Sequence, residues 1–299
     1  MNRRQFISHC ACCAFACAGA SFLYNSKPQG KHFAMHHVGI HIAEHCNLSC
    51  KYCCHFSCIA QKEFYDLDKF KQDIDRMSFV FDKKLAELQL FGGEPLLNPQ
   101  INKYIELSRQ YFPKTRINII TNATLLDEMD KTFWETLNKT DTNIIPSIYP
   151  VKINWKSVLD KAEKYNVGIY GYYDCKERLK ADKIEKYRRQ TFKKIKLAKN
   201  LNSNINKDTC IMRPRCNNMY DGKLYPCTVI AYIRHFNKRF NTDFEISQND
   251  YIDLYKINNL KEIEKFLSTN QFPFCKYCIP DFKEVNWETS YKHTIDEWT

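Results

Sequence analysis

The sequence predicts an α/β fold built on parallel strands. From residue 36 onward, short β-type runs alternate with segments whose apolar residues recur at helical spacing. The chain has 299 residues and 44% of them are hydrophobic, which is enough for a sizeable core. The unusual sequence features follow directly after predicted strands, where βα folds assemble their active sites. The alternation fits a doubly wound sheet or a full or partial βα barrel, and periodicity alone does not choose between them.

The predicted elements follow one another along residues 36–205. The strands are predicted at residues 38–42, 88–91, 116–121, 143–148 and 167–173. The helices are predicted at residues 67–77, from Asn98 and Pro99 onward, at 126–137, 158–165 and 176–199. Asn98 is predicted to cap its helix, with Pro99 at the first helical position.

The last predicted helix is strongly basic. Residues 176–199 contain eleven Lys and Arg against three acids, a large part of the net charge of +11. Ile184, Tyr187, Phe192 and Ile195 recur at helical spacing, which favours a solvated amphipathic helix. A nucleic-acid face is the alternative, but no aromatic-rich binding motif accompanies the charge. Beyond the first thirty residues, no apolar run approaches the length of a membrane span.

After about residue 205 the sequence changes to loops, cysteines and one hairpin. Asp221 and Gly222 lie between apolar flanks, as a tight two-residue turn requires. This part of the chain is predicted to form a small appended α+β domain.

Fifteen cysteines, several of them tightly grouped, indicate metal or cluster binding in a chain of this size. Cys46, Cys50 and Cys53 follow the first predicted strand in one short loop. Three thiolates on a four-iron cubane leave one iron open to a ligand. A zinc knuckle is the alternative, although zinc usually takes four ligands in two separated pairs.

Two motifs carry a family resemblance. The spacing Cys46-x3-Cys50-x2-Cys53, with Tyr52 before the last cysteine, resembles the signature loop of the radical S-adenosylmethionine (SAM) superfamily. After the second strand, a Gly-Gly-Glu-Pro segment resembles the SAM-binding motif of that family; its residues are Gly92, Gly93, Glu94 and Pro95. The resemblance implies a partial (β/α)6 barrel that binds a [4Fe–4S] cluster and SAM.

The resemblance also implies roles for individual residues. The three cysteines would hold the cluster, and Tyr52 belongs to the same cofactor-binding loop. The segment 92–95 would hold the methionine end of SAM, with the Glu94 carboxylate on its ammonium group. Asn122 and Ser147, near the ends of the third and fourth strands, would contact the ribose or carboxylate, unless they only cap the helices that follow. Neither the adenine pocket nor a catalytic acid or base can be assigned.

The C-terminal cysteines form a second pattern. It resembles the SPASM or twitch extension of radical SAM enzymes, in which four cysteines hold an auxiliary iron–sulfur cluster; the four are Cys210, Cys227, Cys275 and Cys278. Cys216 is a rival to Cys210, because both precede the hairpin. A four-thiolate zinc site is the alternative, since the spacing satisfies either metal.

The resemblance predicts a radical SAM core at residues 36–205 and an auxiliary-cluster domain at 206–299. The enzyme would cleave SAM reductively and abstract a hydrogen from a peptide, protein or sugar-like substrate, with a flavodoxin or ferredoxin as electron donor. The alternative function is a zinc-stabilised module that binds nucleic acid or protein without redox chemistry.

Residues 1–30 stand apart from the predicted fold. Arg3 and Arg4, followed by an apolar stretch, resemble a twin-arginine export signal. A misassigned start, with Met35 as the true first residue, would give the same pattern. We expect the protein to be cytoplasmic, because its chemistry requires a low-potential electron donor.

Overall fold

The computed structural model describes residues 37–171, 174–199, 201, 203–213, 216–279 and 283–299. The leader predicted at residues 1–30 lies outside these ranges. No helix within them is both long and apolar enough to cross a bilayer.

Four parallel strands form the centre of the fold. Strands β1 (His37–Ala43), β2 (Glu87–Gly92), β3 (Arg116–Thr121) and β4 (Thr142–Pro146) pair in chain order. Nearly all of their residues are buried, as expected for parallel strands covered on both faces.

A helix follows each of these strands. They are α1 (Leu67–Val80), α2 (Ile101–Tyr111), α3 (Lys131–Lys139) and α4 (Trp155–Lys164). Their apolar residues pack against the strands in one hydrophobic cluster. Three helices begin after a side chain that accepts a hydrogen bond from the first turn; these capping residues are Asp66, Asp130 and Asn154.

The predicted start of α2 is wrong by two residues. The helix begins at Ile101, and Asn98 does not cap it. Instead, the Asn98 amide donates to the Ile42 carbonyl at 2.7 Å and accepts from the Gln100 N–H at 2.9 Å. Asn98 therefore ties the entrance of α2 to β1.

The predicted basic helix at residues 176–199 is also wrong. This segment contains short 3₁₀ turns and the strands β7 (Thr191–Lys193) and β8 (Lys196–Leu197). These strands pair with β13 (Glu284–Asn286) and β12 (Cys278–Ile279) of the C-terminal region. Pairing with distant strands outweighs the local helical periodicity of the sequence. The apolar residues that produce this periodicity are buried in different surroundings, so their spacing is a coincidence.

The predicted fifth strand is reduced to one parallel bridge, between Ile144 and Ile169. Beyond it, β5 (Tyr170–Gly171) and β6 (Asp174–Arg178) form a separate antiparallel pair.

The sheet grows at its other edge. Strand β9 (Asn218–Tyr220) pairs in parallel with β1, and β10 (Lys223–Tyr225) and β11 (Ile252–Asp253) add antiparallel strands. The order of the seven strands is β11-β10-β9-β1-β2-β3-β4, and no closed barrel forms among the described residues. The α/β class is confirmed, and the sheet is consistent with the predicted partial barrel.

A second hydrophobic cluster lies beside the first. It centres on α5 (Thr228–Phe240) and includes Phe56, Leu197 and Trp298. The last helix, α6 (Leu260–Leu267), packs on the first cluster. Because β9 and β10 belong to the main sheet, the region after residue 205 shares one sheet with the core.

Candidate active site

A cleft of about 630 Å³, partly open to solvent, lies where β1 to β4 end. It brings together residues from both sequence motifs and from the ends of β3 and β4. The predicted site residues in its lining are Cys46, Cys50, Cys53, Gly92, Gly93, Asn122 and Ser147. The cleft therefore brings three thiols close to a stretch of backbone that a small ligand can approach.

The cysteine loop is held in place by hydrogen bonds to its sulfurs. The Leu48 N–H donates to Cys46 Sγ at 3.4 Å, and the Asn122 amide lies 3.6 Å from the same sulfur. The Trp287 indole N–H donates to Cys50 Sγ at 3.3 Å. Donors aimed at sulfur suit thiolates that ligate a metal.

Burial makes these thiols weak acids in the absence of iron. It raises the pKa of Cys46 well above the usual range, and the nearby Glu94 charge adds to the effect. Burial also raises the pKa of Cys50 to about 12. A hydrogen bond with Cys53, followed by burial, raises the pKa of Cys58. Cluster assembly must therefore displace protons from buried sulfur.

The two glycines let β2 approach the cysteine loop closely. The Gly93 N–H donates to the Ala43 carbonyl at 2.9 Å. A Cβ on Gly92 would lie 2.0 Å from the Ala43 oxygen, and one on Gly93 would lie 2.1 Å from the His45 oxygen. No other residue type fits either position without moving the backbone.

Glu94 lies beneath the cleft. Its side chain is fully buried and accepts hydrogen bonds from the Leu96 N–H at 3.1 Å, the Thr121 hydroxyl at 2.5 Å and the Asn122 N–H at 2.8 Å. Burial raises the pKa of Glu94 to about 7, although these hydrogen bonds oppose the rise. The carboxylate thus holds the end of β3 against the segment after β2.

Asn122 and Ser147 line the cleft from the ends of β3 and β4. The Asn122 amide donates to Asn47 Oδ1 at 2.7 Å, which ties the end of β3 to the cysteine loop. The Ser147 N–H donates to the Thr121 carbonyl at 2.7 Å.

Like Glu94, the predicted site residues Tyr52 and Pro95 lie outside this lining. Tyr52 packs edge-on against Phe192, with Lys194 Nζ 4.8 Å from its ring centroid. Pro95 is the buried first residue of a 3₁₀ turn. Both shape the loops that carry the site.

A row of buried, interacting polar side chains leads from the cleft to α5. No spacing in the sequence predicts this row. His55 lines the cleft, and its Nδ1 lies 2.8 Å from His41 Nε2. His41 Nδ1 lies 3.4 Å from Glu44 Oε2, and His235 Nε2 lies 2.6 Å from the same oxygen. Arg234 makes an ion pair with that oxygen at 2.8 Å.

Among these buried polar side chains, the negative charge lies on Glu44. Burial alone would raise the pKa of Glu44, but hydrogen bonds from His235 and His41 and the Arg234 charge lower it below its usual range. Burial lowers the pKa of His41 to about 3, so this imidazole is neutral near pH 7. Its ring stacks on Tyr232 at 3.5 Å.

The C-terminal cysteines line a second, small and apolar cavity. The four in its lining are Cys210, Cys227, Cys275 and Cys278. Cys216 is fully buried and disulfide-bonded, as is Cys54, so its thiol is not available as a ligand in this structure. Of the two rivals, the structure therefore places Cys210 at the cavity.

One buried cation accompanies the four thiols. Arg213 lines the cavity, and its guanidinium donates to the Leu267, Thr269 and Asn270 carbonyls. Burial lowers its pKa, while the nearby cysteines raise it. Burial also raises the pKa of Cys227 to about 12. A buried cation suits an anionic occupant, because neutral surroundings would leave its charge uncompensated.

Both cysteine groups offer thiols as possible ligands. Among the described residues, no three His, Cys, Asp or Glu side chains are already arranged around one metal ion. Thiolates are the ligands of iron–sulfur clusters, so the donor chemistry of both groups fits such a cofactor, and four thiolates fit zinc as well.

Residues 40–145, which include the cysteine loop and the Gly-Gly-Glu-Pro segment, match the model of the Radical SAM superfamily. Residues 40–145 of this chain thus carry a radical SAM domain. This family binds a [4Fe–4S] cluster and SAM.

Curated relatives match part of the chain. GTP 3′,8-cyclase of Sulfurimonas denitrificans is 28% identical over 95 residues, which is 30% of this chain and 28% of that enzyme. The cyclase of Nautilia profundicola is 22% identical over 128 residues, 42% of this chain and 40% of the enzyme. The chain thus spans less than half the length of these relatives.

Solved structures are also similar to parts of the chain. BtrN in complex with AdoMet and 2-DOIA is 16% identical, with a TM-score of 0.43, and the match covers 81% of this chain and 84% of BtrN. anSMEcpe with bound AdoMet and a Cp18Cys peptide is 22% identical, with a TM-score of 0.33 over 44% of this chain and 42% of anSMEcpe.

Proposed function

We propose that this protein is a radical SAM enzyme whose cluster is held by Cys46, Cys50 and Cys53. The observation that carries the proposal is the shared cleft, in which these thiols face the segment after β2 and the ends of β3 and β4. The family match supports it over residues 40–145.

When bound, the cluster and SAM supply an electron and a 5′-deoxyadenosyl radical that abstracts hydrogen from the substrate. The protein's own residues position these groups. Three cysteines leave one iron without a protein ligand, and the Gly92 and Gly93 backbone lies open to the methionine end of SAM. Asn122 and Ser147 offer hydrogen-bonding groups for the rest of the cofactor. The electron would come from a low-potential donor of the flavodoxin or ferredoxin class.

The test is SAM cleavage by anaerobically reconstituted protein given dithionite. We expect release of 5′-deoxyadenosine by the parent and none by Cys50→Ala. Cys58→Ala is the matched control, because Cys58 lies in the same loop but does not line the cleft. Equal 5′-deoxyadenosine from Cys50→Ala and the parent would refute the cluster assignment.

We further propose that the four-cysteine cavity binds an auxiliary iron–sulfur cluster in a domain at residues 206–299. The four thiols in an apolar lining and the buried Arg213 charge support an anionic occupant. Such a cluster could accept an electron from an oxidised product or bind a peptide, protein or sugar-like substrate. Zinc without iron in the purified protein would instead support a structural role.

A further inference from the structure

The C-terminal segment 287–298 covers the outside of the cysteine loop. Thr289 forms an antiparallel bridge with Cys50. The Lys51 N–H donates to the Glu288 carbonyl at 2.9 Å, and the Ser290 N–H donates to the Ser49 carbonyl at 2.8 Å. The Lys51 and Glu288 side chains add an ion pair at 2.8 Å. The cysteine loop is therefore one strand of a short two-stranded ribbon.

The far end of the segment is anchored in the second hydrophobic cluster. Trp298 is fully buried among the rings of Phe56, Phe236 and Phe240. Its indole N–H donates to the Cys53 carbonyl at 3.0 Å. This anchoring fixes the segment on the loop at both ends.

Trp287, at the start of the segment, contacts both the loop and the cleft wall. Its indole N–H donates to Cys50 Sγ at 3.3 Å, and its backbone N–H donates to the Gln190 carbonyl at 2.7 Å. Its ring stacks on Tyr149, with centroids 5.5 Å apart and planes 21° from parallel. Tyr149 lines the cleft, so the indole is held between the wall and the sulfur.

A donor on a cluster sulfur favours the reduced cluster. Reduction adds one electron from the low-potential donor and makes the thiolate-bound cluster more negative, so an N–H bond to sulfur strengthens. Removing the donor leaves the reduced form less stable and makes the potential more negative.

We propose that Trp287 is a positioning residue that raises the reduction potential of the cluster held by Cys46, Cys50 and Cys53, while pairing of segment 287–298 with the loop holds the indole in place. This inference rests on the proposed function. By this inference, segment 287–298 influences the transfer of the electron to the cluster.

The test is a redox titration of the reduced cluster's electron paramagnetic resonance signal in the full chain. The signal that changes shape on addition of SAM identifies the cleft cluster. Trp287→Phe keeps an aromatic ring against Tyr149 but removes the N–H. At the parent's midpoint potential, we expect the ratio of reduced to oxidised cluster to fall roughly threefold to tenfold, with iron content unchanged.

Trp134→Phe is the matched control. Trp134 is a buried tryptophan of α3 whose indole nitrogen has no hydrogen-bond partner among the described residues. The same chemical change there should leave the potential unchanged. Ser290→Pro removes the N–H that donates to Ser49 without altering the indole, and it should shift the potential in the same direction as Trp287→Phe.

Two outcomes would overturn the inference while leaving the proposed function intact. One is a parent-like potential in both Trp287→Phe and Ser290→Pro with a full cluster. The other is an equal shift in Trp134→Phe. A parent that binds no iron at the cysteine loop would overturn the inference and the proposed function together.

Discussion

Glu94 receives three hydrogen bonds that join the segment after β2 to the end of β3. Its motif implies contact with the ammonium of SAM, while its carboxylate lies outside the cleft lining of this structure. We expect the residue to support SAM binding by holding the backbone and Asn122 in place.

Glu94→Ala should weaken SAM binding while leaving the iron content intact. Three donors would lose their acceptor, and we expect roughly a tenfold loss of affinity, equivalent to about 1.4 kcal/mol. Anaerobic calorimetric titration measures it. Glu87→Ala is the matched control, because Glu87 is also buried but lies at the opposite end of β2. Unchanged affinity in Glu94→Ala would contradict the positioning role.

The neutral His41 predicts a pH dependence of stability. Its pKa is about 3 in the folded protein and about 6.5 when unfolded. Below pH 6.5 the unfolded chain therefore binds a proton that the folded protein does not. The contribution of the neutral His41 to the free energy of unfolding is thus complete above pH 6.5 and is lost as the pH falls toward 3. The charged and titratable groups that face His41 are Glu44, His55, Tyr232 and Arg234.

His41→Phe removes the titrating ring. The difference in free energy of unfolding between the parent and His41→Phe should shrink by about 2 kcal/mol between pH 7.5 and pH 5. Urea unfolding at both pH values measures the difference. A difference in free energy of unfolding that is constant or larger at pH 5 would show that His41 is not held neutral.

The hairpin between β9 and β10 is an element that the sequence predicts correctly. Asp221 and Gly222 have φ angles of 50° and 67°, as a two-residue turn of this kind requires. A Cβ on Gly222 would lie 2.5 Å from the Tyr255 ring.

Gly222→Ala should lower the free energy of unfolding by roughly 1–2 kcal/mol, because alanine is strained in the left-handed region. Asp221→Asn is the control. Asparagine tolerates this conformation, and the ion pairs that it removes, with Lys69 at 3.5 Å and Lys223 at 3.9 Å, contribute little at a half-exposed carboxylate. Equal urea midpoints for Gly222→Ala and Asp221→Asn would contradict the turn geometry.

Local signals explain which elements could be predicted. The strands β1 to β4 and the turn at Gly222 are encoded by short apolar runs and turn residues, so the sequence alone identifies them. Residues 176–199 carry a helical pattern as well, but β7 and β8 pair with residues 81 to 95 positions away. No local pattern contains that information.

The same distinction holds for the site. The cysteine loop and the Gly-Gly-Glu-Pro segment follow adjacent strands, so their meeting in one cleft follows from the βα order. The contact of His235 with Glu44 and that of Trp287 with Cys50 join residues 191 and 237 positions apart. Only the folded chain reveals them.

At the scale of the whole molecule, two cysteine groups should bind iron independently. Each cubane holds about four irons, so the parent should contain about eight per chain and a Cys46/Cys50/Cys53 triple alanine variant about four. Cys275→Ala with Cys278→Ala should also leave about four and retain 5′-deoxyadenosine formation. Iron and sulfide assays measure these numbers. A triple variant with one zinc and essentially no iron would identify the C-terminal site as structural zinc.

The most direct test of the cleft assignment is whether SAM binds the open iron. Reduced parent protein should give an electron paramagnetic resonance signal that changes shape when SAM is added, because SAM would ligate the iron that the three cysteines leave open. The Cys46/Cys50/Cys53 triple variant, if it retains the C-terminal cluster, should give a signal that SAM does not alter. A parent signal that SAM leaves unchanged, or a triple variant that responds as the parent does, would contradict the assignment of the open-iron cluster to this cleft.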